Sequence, residues 1–173
     1  MNRNDFIDVS MIGRAAYAVM CAEKYAVTKY PDRNWKPLFN WMWELTSDYF
    51  DEWYYRFMEI LPEYLYEFDN YKDANFEYLT EEDYDYYSSF LKDIDSNMSS
   101  LLEIPAKISM VYCYMPIPGR GNESIDLLLD AARILEENGI EPPDTSAVAF
   151  SSFSEKDGWG EPFDGSRLSV VLR

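Results

Sequence analysis

The sequence predicts an all-α fold, a single-domain bundle of about six helices with an irregular C-terminal segment packed on it. Apolar side chains recur at helical spacing over residues 1–143. Capping residues, prolines and glycines stand at the ends of these periodic segments. After Pro143 the composition shifts to Ser, Gly and Asp. We therefore interpret residues 1–143 as the helical bundle and residues 144–173 as a non-helical wrap of the same domain.

The first helix is expected from about Ser10, its N-cap, to Tyr30, because Pro31 cannot continue it. Its segment "MIGRAAYAVMCA" is apolar on nearly every side apart from Arg14. A helix that is apolar all round is buried, so we expect this helix in the middle of the bundle.

The second helix is expected to carry Pro37 in its first turn. One apolar stripe follows at helical spacing: Leu38, Trp41, Met42 and Leu45. Trp43 and Glu44 lie off that stripe. Trp43 either packs on a second neighbour or is exposed for a partner. Glu44 could accept a hydrogen bond from a buried indole or anchor a basic side chain, and the sequence leaves both alternatives open.

The third helix is expected after Ser47, a candidate cap. The acids of its first turn would be Asp48, Asp51 and Glu52, favoured there by the helix dipole. The predicted inner face consists of Phe50, Trp53, Tyr54, Phe57, Leu61, Leu65 and Phe68. The predicted outer face consists of Glu52, Arg56, Glu59, Glu63 and Glu67. Pro62 should kink this helix or divide it.

Three more helices follow in the prediction. Thr80 and Asp83 resemble a capping box, and the fourth helix then carries the stripe Tyr84, Tyr87, Leu91 and Ile94. A fifth helix is expected from Ser99 to about Met115, with Pro105 in its first turns. A sixth is expected from Asn122 as cap to the glycine at residue 139. In the C-terminal segment, four large aromatics predict an ordered wrap, and residues 168–172 could form a short strand: the aromatics are Phe150, Phe153, Trp159 and Phe163.

Charge is distributed unevenly along the chain. The net charge is −17, from 32 acidic and 15 basic residues. Between Glu44 and Asp95 stand sixteen acidic and three basic residues, a local net charge of −13, together with ten of the fifteen tyrosines. Such a surface repels nucleic acids and anionic membranes, so the expected partner is a basic protein. The alternative is a solvated helix face that covers an aromatic core.

The predicted partner-binding residues combine exposed acids with aromatic side chains. They are Trp43, Glu44, Glu52, Glu59, Glu63, Glu67, Asp83, Asp85 and Tyr86. Carboxylates within about 8 Å of one another repel at physiological salt, and a cationic partner relieves that repulsion. Tyrosine adds contact area with a polar tip.

No catalytic, metal-binding or cofactor-binding residue is predicted. Histidine is absent, which removes the commonest general base and the usual zinc sites. An enzyme would have to rely on carboxylates such as Glu59, Glu63 or Asp83, gathered in a pocket. Cys21 and Cys113 are expected to be buried free thiols. With no apolar signal segment and no membrane-length apolar run, the expected location is the cytoplasm.

Three short stretches carry a resemblance to a known family: "GRAAYAVMCAEKY" in the first helix, the W-x-W-E pattern at Trp41, Trp43 and Glu44, and "GWGEPFDG" near the end. Together with the aromatic and acidic centre, this pattern resembles the bacterial immunity proteins that neutralise polymorphic toxins, in particular immunity protein family six. The resemblance implies a mostly helical cytoplasmic inhibitor that binds its cognate secreted toxin directly. Many such toxins are nucleases with basic clefts. A helical adaptor or regulatory protein for another basic protein is the alternative.

Overall fold

The protein is all-α, as the sequence predicts. A computed structural model describes residues 1–47 and 50–173, without the side chains of residues 50 and 51. The described residues form seven α-helices: α1 (Met11–Lys29), α2 (Lys36–Trp43), α3 (Phe50–Met58), α4 (Pro62–Leu65), α5 (Glu81–Phe90), α6 (Ser96–Met110) and α7 (Asn122–Glu137). Five short 3-10 helices lie at Arg3–Asp5, Glu44–Thr46, Thr145–Val148, Lys156–Gly158 and Gly165–Leu168. The predicted acid Asp48, and the side chains of the predicted acid Asp51 and the predicted inner-face residue Phe50, lie outside what the structure describes.

Helix α1 is the central element of the bundle. Ser10 caps it as predicted, because its hydroxyl oxygen accepts a hydrogen bond from the N–H of Gly13 at 3.1 Å. The helix packs against α6, α7 and α2. Its small side chains allow this close approach, and five of its alanines are completely buried: Ala15, Ala16, Ala18, Ala22 and Ala26. A side chain at Gly13 would meet Val9 at 2.7 Å, so this position accepts only glycine without rearrangement.

Arg14 is the one charged side chain in the apolar segment of α1, and it is completely buried. Its guanidinium donates hydrogen bonds to the carbonyl oxygens of Arg120 at 2.7 Å and Phe6 at 3.0 Å, and to the hydroxyl of Ser124 at 2.8 Å. It also lies over the ring of Phe153 at 5.1 Å. Burial lowers its pKa to about 10, the largest effect on this group. Arg14 therefore joins the N-terminal segment, the start of α7 and the C-terminal segment.

Pro62 divides the predicted third helix in two, which gives seven helices where about six were expected. Helix α3 ends at Met58, and α4 begins at Pro62. Proline fits this first position because a first-turn N–H has no acceptor within the helix. The predicted inner-face residues Trp53, Phe57, Leu61 and Leu65 are buried. Phe68 is 37% exposed, contrary to prediction, because the chain has left the helix after Leu65.

Helix α5 begins as predicted, since the hydroxyl oxygen of Thr80 accepts a hydrogen bond from the N–H of Asp83 at 3.2 Å. Helix α6 begins earlier than predicted, because Asp95 caps it by accepting from the N–H of Met98 at 2.8 Å. Pro105 consequently lies inside α6 rather than in its first turns. In α7, Asn122 is the first helical residue and not the cap, since Gly121 takes the N-cap position.

The C-terminal segment is ordered against the bundle, as the four aromatics predicted. The N–H of Phe163 donates to the carbonyl of Thr46 at 2.9 Å, and the N–H of Ile12 donates to the carbonyl of Trp159 at 3.0 Å. The expected strand near residues 168–172 is wrong: the described residues contain no β-strand, only an isolated bridge between Val9 and Ser152. Short 3-10 turns satisfy this segment's backbone locally.

Candidate partner-binding surface

Trp43 belongs to the core and not to the surface. Its side chain is 3% exposed, and its indole N–H donates to the carboxylate of Glu23 on α1 at 2.7 Å. Glu23 is 1% exposed and also accepts from the hydroxyl of Ser169 and from the N–H of Val170 at 2.8 Å. Burial raises the pKa of Glu23, and these hydrogen bonds oppose that rise. Of the two interpretations of Trp43, the packed one is therefore correct, because its buried side chain has almost no surface to offer a partner.

Glu44 anchors a basic side chain, which was one of its two predicted roles. Its carboxylate lies 3.4 Å from the guanidinium of Arg56 on α3. Both side chains are partly exposed, with 36% for Arg56 and 42% for Glu44. The acceptor for the buried indole is Glu23, which sequence reasoning missed because Glu23 stands twenty residues before Trp43 on another helix.

Glu59 has an internal structural role. Its two carboxylate oxygens accept hydrogen bonds from three consecutive backbone N–H groups, those of Glu77 at 2.7 Å, Tyr78 at 2.9 Å and Leu79 at 2.7 Å. This arrangement fixes the chain as it returns to the start of α5. Glu59 thus stabilises the connection between α4 and α5, and its carboxylate oxygens already accept internal hydrogen bonds.

The remaining predicted residues lie at or near the surface. Glu52, Glu63, Glu67 and Asp85 are exposed, and Tyr86 is 43% exposed. The ring of Tyr86 stacks on Phe90 at 5.6 Å between centroids, which holds it in place. Asp83 is half-buried and accepts a hydrogen bond from the Thr80 hydroxyl at 2.6 Å.

Helices α4 and α5 bring several of these residues together. The two helices pack against each other. The Tyr66 hydroxyl donates to the carbonyl of Ser88 at 2.9 Å, and the Tyr84 hydroxyl donates to the carbonyl of Phe68 at 3.2 Å. Glu63 on α4 and Glu67 just after it therefore lie on the same packed pair of helices as the acids of α5.

Salt bridges are distributed unequally over the described residues. Within residues 44–95, Arg56 forms a salt bridge with Glu44. The others join residues outside this stretch: Arg3–Asp126, Lys107–Glu103, Arg120–Asp8, Arg133–Asp130, Arg133–Glu137, Lys156–Glu161 and Arg167–Asp164. Eight of the exposed acids within 44–95 have neither a described salt bridge nor a described hydrogen bond to the carboxylate: Glu63, Glu67, Asp69, Glu77, Glu81, Glu82, Asp85 and Asp93. We call these eight residues the acidic face.

Tyrosines accompany the acidic face. Five of them between residues 44 and 95 are 36–45% exposed: Tyr55, Tyr64, Tyr66, Tyr78 and Tyr86. Each ring keeps part of its area in contact with the protein, which lowers the entropy cost of presenting it to a partner. The tyrosines that carry the core of α5, Tyr84 and Tyr87, are buried as predicted.

A groove of about 570 Å³ lies between α3, α4, α6 and α7. Its floor is apolar and consists of Tyr54, Met58, Leu61, Ala106, Met110, Val111 and Leu127, with Tyr64 at its edge. Its rim is charged and consists of Glu63, Glu103, Glu123, Asp126, Asp130 and Lys107. We call this feature the α3–α7 groove. Of the groove residues, only Glu63 belongs to the partner-binding set predicted from the sequence, because the four contributing helices come together only in the folded chain.

Glu59, Glu63 and Asp83, the carboxylates on which an enzyme was expected to rely, do not converge in one pocket. Glu59 binds backbone N–H groups and Asp83 binds Thr80, whereas Glu63 lies in solvent at the groove rim. Over residues 1–47 and 50–173, no group of three or more Asp, Glu or Cys residues is arranged to hold a metal ion. Cys21 is buried, and burial raises its pKa; Cys113 is half-buried, which corrects its prediction as a core thiol.

No protein-family model, no curated protein and no solved structure matches this chain. Among the helices that the structure describes, none has both the length and the apolar character to span a membrane. The fold and the surface thus describe an all-α protein with one acidic face and one acid-rimmed apolar groove.

Proposed function

We propose that this protein is a cytoplasmic immunity protein that binds and neutralises a cognate secreted bacterial toxin domain through its acidic face. The observation that carries this proposal is the uneven pairing of charge. Seven of the sixteen acids outside residues 44–95 form described salt bridges with Lys or Arg, whereas none of the eight acids of the acidic face does. A protein that needed acidity only for solubility would have no reason to concentrate it.

Uncompensated carboxylates favour a cationic partner for two physical reasons. In the free protein they repel one another over about 8 Å at physiological salt, and a partner's Lys and Arg remove that repulsion. They also steer a basic partner over longer range and raise its association rate. A nuclease toxin presents such a basic cleft, and an acidic surface with half-exposed tyrosines could occupy it in place of nucleic acid.

The proposed contact residues are the members of the predicted set that lie at the surface, all of them exposed except the half-buried Asp83. They are Glu52, Glu63, Glu67, Asp83, Asp85 and Tyr86. Trp43, Glu44 and Glu59 support the fold around them, because each already has an internal partner. The resemblance to immunity protein family six supports the toxin as the basic partner and the absence of catalysis.

The test is co-expression with the toxin domain encoded next to this protein's gene, scored by cell survival, together with binding of the purified pair. We expect survival, and an affinity that falls by roughly tenfold or more between about 0.05 and 0.5 M salt, as for other electrostatically steered pairs. An affinity independent of salt would contradict the electrostatic mechanism.

Two double variants separate surface charge from net charge. Glu67→Lys with Asp85→Lys reverses two charges on the acidic face, whereas Glu136→Lys with Glu141→Lys reverses two exposed charges elsewhere. Both change the net charge equally. We expect loss of protection only from the first pair. Capture of an unrelated basic protein, without protection against the toxin, would favour the helical adaptor instead.

A further inference from the structure

We propose that the α3–α7 groove seats an amphipathic, basic helix of the partner, with apolar side chains on the groove floor and Lys or Arg side chains at its rim. This inference rests on the proposed function and specifies one contact within it. The acidic face would attract the partner over long range, and the groove would supply the short-range apolar contact.

The floor of the groove suits apolar side chains of varied shape. Met58, Met110, Val111 and Leu127 are only half-buried, so they retain apolar area that a partner could cover. Two of these four are methionines, which adapt to different shapes and recur at helix-binding surfaces. Tyr54 adds an aromatic wall.

The dimensions of the groove fit a short helix. Its α6 wall runs from Glu103 to Val111, about 12 Å at the helical rise of 1.5 Å per residue. Over about that length a bound helix presents apolar anchors at i, i+3 or i+4, and i+7. Three such anchors in a volume of about 570 Å³ leave the polar face of the helix above the rim.

Charge at the rim selects a basic occupant. Five of the six charged rim residues are acids. Three of these acids pair internally, Glu103 with Lys107 at 2.7 Å, Asp130 with Arg133 at 2.9 Å, and Asp126 with Arg3. Glu63 on α4 and Glu123 on α7 have no salt bridge among the described residues. These two acids, which come from different helices, are the expected sites for cations of the occupant.

A second copy of this chain is a poor occupant, because two molecules of net charge −17 repel each other and their rims would bring like charges together. The exposed apolar surface continues beyond the groove instead. Tyr55 follows the groove residue Tyr54, and its hydroxyl lies 3.0 Å from that of Tyr114, whose side chain is 77% exposed. A partner longer than the groove would therefore meet further aromatic surface.

The probe is a synthetic peptide with a leucine stripe and flanking lysines, KLAKLLKKLAKLLK, and its counterpart with every lysine replaced by glutamate. Binding is followed by NMR of protein with ¹³C-labelled methionine methyl groups, which reports Met58 and Met110 individually. We expect saturable shifts of these two resonances with the lysine peptide and none with the glutamate peptide.

Matched variants test the two parts of the groove. Met110→Glu places a charge on the floor, whereas Met115→Glu places the same charge on a residue that is 57% exposed and does not line the groove. We expect the first to weaken peptide binding at least about tenfold and the second to change it by less than about twofold. Glu63→Gln with Glu123→Gln should weaken binding about fivefold at low salt, and Glu136→Gln should not.

Shifts confined to other methionines, equal binding of the glutamate peptide, or no binding of the lysine peptide would overturn the inference. The toxin co-expression assay separates the two proposals. If the Met110→Glu variant is folded by circular dichroism and still protects, while Glu67→Lys with Asp85→Lys does not, the helix-binding role of the groove is overturned and the proposed function stands. Failure of the unaltered chain to protect would overturn the proposed function. The peptide experiment would then still test whether the groove binds a basic amphipathic helix.

Discussion

Glu23 on α1 and Ser169 in the C-terminal segment are 146 residues apart in sequence and are joined by a hydrogen bond between buried side chains. The same carboxylate accepts from the indole of Trp43 and the N–H of Val170. One buried acid thus connects the central helix, the end of α2 and the last residues of the chain. It explains how a segment without regular structure is held on the bundle.

Replacement of Glu23 should loosen the C-terminal segment. Glu23→Ala removes the acceptor for two buried donors, the Trp43 indole and the Ser169 hydroxyl, and for the part-buried N–H of Val170. A buried donor left unsatisfied costs about 1–3 kcal/mol, so we expect a loss of roughly 3 kcal/mol in the free energy of unfolding. Urea denaturation measures this loss. Glu136→Ala, on the exposed face of α7, is the control and should stay within about 0.5 kcal/mol. A comparable stability of the two variants would contradict the role of Glu23.

Glu23 should also make stability depend on pH. Its pKa is raised in the folded protein, so the folded state binds the proton more tightly than the unfolded state. Its contribution is therefore fully present below the unfolded pKa and declines as the pH rises through the folded pKa. Urea denaturation between about pH 4 and 8 should show the advantage of the unaltered protein over Glu23→Gln shrinking with increasing pH. A difference that grows with pH would contradict this sign.

Glu59 should control the order of the connection between α4 and α5. Glu59→Ala leaves the N–H groups of Glu77, Tyr78 and Leu79 without their acceptor, and we expect their amide hydrogen exchange to accelerate at least about tenfold, equivalent to roughly 1.4 kcal/mol of local opening energy. Glu67→Ala, which removes an exposed acid of the same stretch, should leave these amides unchanged. Unaltered exchange in Glu59→Ala would show that other contacts hold this connection.

Replacement of Arg14 by lysine, which keeps the charge but not the forked guanidinium, should lower the stability of the protein. Lysine cannot reproduce the fork that reaches Phe6 on one side and Arg120 on the other, so we expect Arg14→Lys to cost about 2 kcal/mol. For a chain of this length, this loss lowers Tm by roughly 4–8 °C. Arg167→Lys, on an arginine whose side chain is 84% exposed, is the control in a thermal melt. An unchanged Tm for Arg14→Lys would contradict the proposed fork.

The acidic face should destabilise the free protein, because its charges lack local partners. We expect Glu67→Gln and Asp85→Asn each to raise the free energy of unfolding by about 0.2–0.5 kcal/mol at low salt and to lose this effect at about 0.5 M salt. Asp130→Asn removes an acid paired with Arg133 and should give no gain. Denaturant titrations at both salt concentrations distinguish these results. Equal gains from all three variants would mean that net charge, not local pairing, governs stability.

Much of the fold follows from local rules that a sequence displays. The Ser10 and Thr80 caps, the buried stripe of α5 and the break at Pro62 depend on neighbours within about one helical turn. The start of α6 was misplaced because Asp95 competes with Ser99 as a cap, and both satisfy the same local rule. The expected strand at residues 168–172 is not formed because a strand needs a distant partner, and these residues pair with no strand in the described part of the chain.

The sequence by itself determined the helical class, the order of the helices and the concentration of acid between Glu44 and Asp95, since periodicity, capping and charge are properties of neighbouring residues. Only the tertiary structure decided which acids remain available to a partner. By spacing, Trp43 lies off the apolar stripe, which leaves its burial open, and Glu59 lies on a predicted outer face, yet the partners of both stand about twenty residues away on other elements. The α3–α7 groove exists only where four helices meet, because long-range packing sets the distances between residues that no local pattern connects.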